Sequence, residues 1–399
     1  MTWIVLMTLA FPMSFTYTSV YTDPGLQIVA WQPWQIGLAY DIRPMKSNLS
    51  YLIGVIAFCC QSLAAFANDV LLDVDSQAVL TIPDLSNGVP APGKRVNVTP
   101  PEYAGSNVFH TLYLPKTWEK DGEALPIIFE YTGNYFPQAG STGEPEDAGL
   151  GYGLSGGKYI WVSLPYISED GTDNAVTWWG DENATVEYAK RNVPRIMKEF
   201  GANPNAVFLC GFSRGAIGVN FIGLHDEQIS GLWTAFITHD HFDGVKRWGK
   251  TTWGSPLDHY RKDALERLRR VGNRPYLVSQ NGSKQDSEDY LRSVLSTVNN
   301  FTFGYVNTGE ILGKFPNDFA RAAHTDRWPL KPSRYRSMTW TWMNRVANDR
   351  QVARTLDTMI FEDQFGRSES QEEKDESGNE WNTDRNATKD ACAPNRNGR

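Results

Sequence analysis

The chain is poor in cysteine: four in 399 residues, none spaced as C-x-x-C, which excludes a disulfide-stapled scaffold and a cysteine-ligated zinc ribbon. Positive charge is also scarce. With 38 Lys and Arg against 46 Asp and Glu, the net charge is −8, the wrong balance for a protein that grips nucleic-acid phosphates. No basic residue precedes Arg43, so the extreme N-terminus lacks the positive start of a secretory signal. The apolar run at residues 2–15 is too short for a bilayer span and carries Pro12. What is present is 41% hydrophobic residues, enough for a large core, and 13% aromatics with 14 Trp. A disordered chain is thereby excluded, and the aromatics suit either bulky core or a stacking surface.

The ends separate from the middle. Lys46 after Met45, an apolar stretch over 52–64 and the small-x-small site Ala65-Phe66-Ala67 have the order of a signal peptide. The expectation is over-extended translation at 1–44, a signal peptide at 45–67, a catalytic α/β domain at 68–366 and a disordered acidic tail at 367–399. The tail is polar and charged, with too little apolar surface to offset its ordering entropy. A cleaved signal implies a secreted or periplasmic protein; membrane contact arises only through that segment if it stays uncleaved.

Short, nearly continuous apolar runs at 125–131, 159–164, 206–210, 233–238, 275–279 and 301–306, with an alternating one at 108–114, predict strands. Helical patterns fall at 183–200, 215–224, 263–271, 287–298 and 334–347, the first stopped by Gly201. Strand and helix in alternation predict an α/β fold, a mainly parallel, doubly wound sheet with helices on both faces.

The strongest chemical signal is Gly211-Phe-Ser213-Arg-Gly215, a G-x-S-x-G placed between an apolar strand and a helix. That context marks a nucleophile elbow, in which side chains at 211 and 215 would collide with neighbouring backbone. A serine needs a base. Of six histidines, His324 lies in a loop between the last strand and the final helix, from which its imidazole reaches the elbow. The acid expected between them in sequence is Asp286, after strand 275–279, in the spacing Gly282-x-x-x-Asp286; Asp243, after the preceding strand, is the rival. The oxyanion hole needs two backbone N–H groups: one from Arg214, the other from Asn134 or Tyr135 in Thr132-Gly133-Asn134-Tyr135. Trp178, Trp179 and Trp328 are candidates to bind substrate, with core packing as the alternative.

The apolar strand, T-G-N loop, G-F-S-R-G elbow and following Asp and His resemble the α/β-hydrolase superfamily over residues 100–350. Trp178-Trp179-Gly-Asp-Glu-Asn and His324-Thr-Asp-Arg-Trp328 look more narrowly like exported bacterial serine esterases and polyester-depolymerase-like hydrolases. The resemblance implies carboxylic-ester hydrolysis through an acyl-enzyme, without a cofactor, on small-molecule or polymeric esters such as carbohydrate esters and polyesters. Glu130-Tyr131-Thr132-Gly133 stands where His-Gly is usual. A serine peptidase on the same fold, or a silent hydrolase fold that binds a surface partner, are the rival readings. Two further motifs are set aside. His239-Asp-His241-Phe-Asp243-Gly244 has glycine at the last zinc-ligand position, so no metal is expected. Gly151-x-Gly153-x-x-Gly156 precedes its strand instead of following one, and is expected to be a flexible loop.

Overall fold

A computed structural model describes residues 76–137, 141–248, 253–281, 285–313 and 324–348, and the backbone of 19–23 and 26–29. The signal segment 45–67 and the tail 367–399 lie outside the described residues. The chain divides into two units, Met1–Phe66 and Ala67–Arg399. Within the first, β1 (Ser19–Asp23) pairs antiparallel with β2 (Leu26–Val29).

The second unit holds one eight-stranded sheet. Its strands are β3 (Arg95–Val98), β4 (His110–Tyr113), β5 (Leu125–Tyr131), β6 (Ile160–Leu164), β7 (Ala202–Phe212), β8 (Ala235–His239), β9 (Tyr276–Asn281) and β10 (Phe301–Val306). They lie in the order β10-β9-β8-β7-β5-β6-β4-β3. Six strands are parallel to one another, and β4 runs antiparallel to both β3 and β6. Parallel neighbours need long crossovers, and helices supply them: α1 (Leu150–Ser155), α2 (Glu182–Phe200), α3 (Arg214–Phe221), α4 (Glu227–Ser230), α5 (Leu257–Arg269) and α6 (Asp286–Val294), with α7 (Thr308–Leu312) and α8 (Arg334–Asn348) after the last strand.

Strand alternation divides the core in two. Ile127, Phe129, Tyr131, Val207 and Leu209 face α2, α3, α5 and α6; Ile128, Ala206, Phe208 and Cys210 face α1 and α8. Both faces are apolar because both are covered, which is why these strands read as unbroken hydrophobic runs. The doubly wound sheet with helices on both faces is thus the observed architecture. Helix α2 ends as expected at Gly201, in the left-handed conformation with φ 65°.

The polar-start strand β3 and the short helices α4 and α7 have no strong pattern and are not among the expected elements of the second unit. The segment expected to be a flexible glycine loop is the buried helix α1. Glu130 explains it: its carboxylate accepts the N–H groups of Gly149, Leu150 and Gly151 at 3.3, 3.1 and 2.8 Å, supplying the acceptors a helix start lacks. Gly151 is required by packing, since a Cβ there would lie 2.6 Å from the Trp161 indole nitrogen.

Candidate active site

The site lies at the carboxyl ends of the parallel strands, where open α/β sheets bind their ligands. Strand register assembles it. Phe212 of β7 pairs with His239 of β8, and His239 pairs with Ser279 of β9. The next residues along β7 and β8 are Ser213 and Asp240, so adjacent strands deliver the two side chains to the same level. Ser213 turns the chain sharply from β7 into α3, with φ 56° and ψ −120°, a conformation unfavourable for a non-glycine residue. The turn fits only because its flanks are glycine: a Cβ on Gly211 would sit 2.2 Å from the Gly215 carbonyl oxygen, and one on Gly215 only 1.8 Å from that of Tyr131.

His324 bridges serine and acid. Its Nε2 lies 3.0 Å from Ser213 Oγ, and its Nδ1 lies 2.7 Å from Asp240 Oδ2. Asp240 is nearly buried, at 7% side-chain exposure. Burial raises its pKa, but the imidazoles of His239, His324 and His241 outweigh this and hold the carboxyl well below its usual range. An ionised Asp240 is an acceptor only, so Nδ1–H donates to it and Nε2 is left to accept the Ser213 hydroxyl proton. The other carboxylate oxygen, Oδ1, accepts the Asn281 N–H at 2.7 Å, and the Asp240 N–H donates to the Ser279 carbonyl at 2.9 Å.

Neither expected acid occupies this position. Asp286 is the first residue of α6, exposed, five residues beyond the end of β9. It lines a cleft together with Asp240, His241, Trp248 and Gln280, but Asp240 holds the imidazole. Asp243 is fully buried and spends both oxygens on Arg267, at 2.8 and 3.2 Å. The signal for Asp240 was its place directly after β8, level with the serine after β7. It was obscured because the predicted strand stopped at 238, one residue short.

Arg214 N–H opens α3 and, like the Asn134 N–H, has no acceptor among the described residues. Tyr135 is excluded as the donor, because its N–H is spent on the Val176 carbonyl at 2.7 Å. The Asn134 loop runs beside Ser213, with the Cβ direction of Gly133 3.5 Å from Ser213 Cβ.

Of the three candidate tryptophans only Trp178 is partly exposed. Its backbone is left-handed, φ 52°, and its N–H donates to Asn134 Oδ1 at 2.8 Å. Trp179 and Trp328 are 6% and 2% exposed and belong to the core, the first packed on Phe221 and Tyr166, the second near His239. Two tryptophans not singled out from sequence join Trp178 instead. Its ring stacks on Trp253 at 5.1 Å and meets Trp248 edge-on at 5.6 Å. Trp248 touches His241 (4.8 Å), and His241 touches His324 (5.1 Å), making a continuous aromatic wall from His324 to Trp178. Burial pushes His241 well below its ordinary pKa. Tyr135 and Phe136, on the oxyanion loop, are about half exposed. Among the described residues no three His, Cys, Asp or Glu side chains converge as a metal site.

No family profile matches the chain, and no curated protein does. Solved structures do show likeness. The AtxE2 isopeptidase with bound astexin is 13% identical, with a TM-score of 0.41 over 67% of this chain and 43% of that one. A feruloyl esterase module from Clostridium thermocellum with sinapinate is 13% identical, TM-score 0.37, over 64% and 95%. A lipase/esterase from Lactobacillus plantarum is 15% identical, TM-score 0.38, over 64% and 98%. The chain therefore spans less than half the length of the isopeptidase. What this chain itself shows is a mainly parallel eight-stranded α/β sheet with helices on both faces.

Proposed function

We propose that the protein is a serine hydrolase that cleaves carboxylic esters through an acyl-enzyme. The observation that carries this reading is the unbroken chain from Ser213 Oγ through His324 to Asp240, at 3.0 and 2.7 Å, with the serine on a strained elbow. In this reading Ser213 Oγ attacks the ester carbonyl carbon while its proton passes to His324 Nε2. The resulting imidazolium is held by Asp240, and the carbonyl oxygen becomes an oxyanion between the N–H groups of Arg214 and Asn134. Collapse breaks the bond to the alcohol oxygen, which leaves with the proton from Nε2. Water then attacks the acyl-enzyme by the same route, with His324 as base, and frees the acid and Ser213.

The aromatic wall and the exposed Tyr135 and Phe136 favour esters with an apolar or ring-bearing portion, small or polymeric. No step calls for a cofactor. We further propose export, with a mature chain from about residue 68; N-terminal sequencing of the released protein tests it, and an N-terminus at Met1 or Met45 would refute it.

The test of function is labelling by a fluorophosphonate probe, with Ser213→Ala beside the wild type, followed by a panel of aryl and alkyl esters and matched amides. Labelling that disappears in Ser213→Ala, with ester turnover, is the expected result. A folded protein that resists the probe would overturn the reading in favour of a binding role, and amide turnover exceeding ester turnover would make it a peptidase.

A further inference from the structure

The Arg214 side chain is 1% exposed, yet no carboxylate among the described residues lies within ion-pair distance of it. Glu144 attracts it from beyond that distance, so the buried guanidinium must find its hydrogen-bond acceptors elsewhere. Here they come from three loops. Nη1 donates to the carbonyls of Ala175 (3.1 Å) and Trp178 (2.8 Å). Nη2 donates to Gly133 O (2.9 Å), Gly143 O (3.0 Å) and Thr132 Oγ1 (3.3 Å), and Nε to Thr132 O (3.4 Å). Tyr166 lies under the guanidinium plane, 4.1 Å from its ring centroid. Burial lowers the pKa to about 10, which leaves the group charged at neutral pH.

One of these acceptors matters for chemistry. The Gly133 carbonyl and the Asn134 N–H belong to the same peptide unit, and in a trans peptide they point in opposite directions. Clamping Gly133 O from one side therefore fixes where the Asn134 N–H points on the other, and polarises it as a donor. The neighbouring contacts serve the same loop: Asn134 Oδ1 accepts from Trp178 N–H, and the Trp178 carbonyl returns to Arg214.

We propose that the Arg214 side chain is a positioning residue for the oxyanion hole: its guanidinium orients the Gly133–Asn134 peptide and locks the left-handed Trp178 to it. Arg214 thus acts twice, by its own N–H and by aiming the second donor, and it couples that donor to the aromatic wall. This inference rests on the serine-hydrolase reading above. Lysine does not replace the residue, because a point charge cannot span five carbonyls in the planar fork geometry.

The test compares the full chain with Arg214→Met and Arg214→Lys, using p-nitrophenyl esters and the matching thionoesters, with circular dichroism to confirm folding. A thiono sulfur accepts hydrogen bonds poorly, so the oxoester/thionoester rate ratio reports on the oxyanion donors and not on general stability. The expected outcome for Arg214→Met is a fall in kcat of about a hundredfold, the size of one lost oxyanion donor, with KM changed much less and the rate ratio lowered. Arg214→Lys falls between, and it decides the matter if the methionine variant does not fold. Wild-type rate ratios in either folded variant would overturn the proposal. An inactive, probe-resistant wild type would instead overturn the hydrolase reading on which it rests.

Discussion

Replacing Asp240 by asparagine separates the acid from its two rivals, and the structure fixes how. The position has φ 75°, a left-handed conformation that Asn tolerates as well as Asp, so the backbone is not strained by the change. Oδ1 must still accept the Asn281 N–H at 2.7 Å. The new amide can satisfy that only by keeping its oxygen there and turning its NH2 toward His324 Nδ1. The imidazole is then forced to accept at Nδ1 and carry its proton on Nε2, where it faces Ser213 and cannot act as a base. The charge is lost as well. Opposite charges about 4 Å apart at an effective dielectric near 20 interact by about 4 kcal/mol, or roughly a thousandfold in rate at about 1.4 kcal/mol per factor of ten. The wrong tautomer takes the total toward about 10⁴ in kcat. The assay is steady-state hydrolysis of a p-nitrophenyl ester, with melting curves to show that folding is retained. Asp286→Asn, on an exposed helix start, should stay within a few-fold of wild type. Asp243→Asn should keep kcat but lose about 3–5 kcal/mol of stability, because Arg267 is left buried and unpaired. If Asp240→Asn stayed within tenfold of wild type, or Asp286→Asn collapsed, the assignment of the acid would be wrong.

Two further predictions follow from burial. Trp178→Ala should raise KM for aryl esters several-fold more than for acetyl esters with a small melting shift, whereas Trp179→Ala and Trp328→Ala should cost about 3–5 kcal/mol of stability; equal melting losses in all three would contradict the placement of Trp178. Burial, then the Arg195 guanidinium, pushes buried His110 down to about 3, while an unfolded histidine titrates near pH 6.5. Between those values the unfolded chain binds a proton that the folded chain refuses, so stability falls as pH falls through that window, by on the order of 5 kcal/mol in all. His110→Gln, which can still bond the Tyr188 hydroxyl now 2.7 Å from Nδ1, should flatten this dependence in urea titrations at pH 7 and pH 4; unchanged slopes would refute it.

Ser213 and His324 were legible in the chain because their signals are local. G-x-S-x-G between an apolar run and a helix can be read over a dozen residues; Gly211 is demanded by a contact within that turn, whereas Gly215 is demanded by the Tyr131 carbonyl of β5. His324 stood out by its loop. The core strands were legible for a similar reason, since burial on both faces leaves an unbroken apolar run. Helix α1 was misread because its start is completed by Glu130, about twenty residues away, and no pattern within 149–156 records that carboxylate.

The α/β alternation, the elbow serine, the loop histidine and the neighbourhood of residues 132–135 are written in adjacent stretches of chain. Which carboxylate faces the imidazole, which tryptophans meet solvent and what the Arg214 guanidinium holds emerge only on folding. Periodicity and turn chemistry are encoded in adjacent residues, but the acid was chosen by the register of β7 against β8, and Tyr135 was excluded by a carbonyl forty-one residues away. Such pairings depend on how distant segments stack, and no stretch of chain contains them.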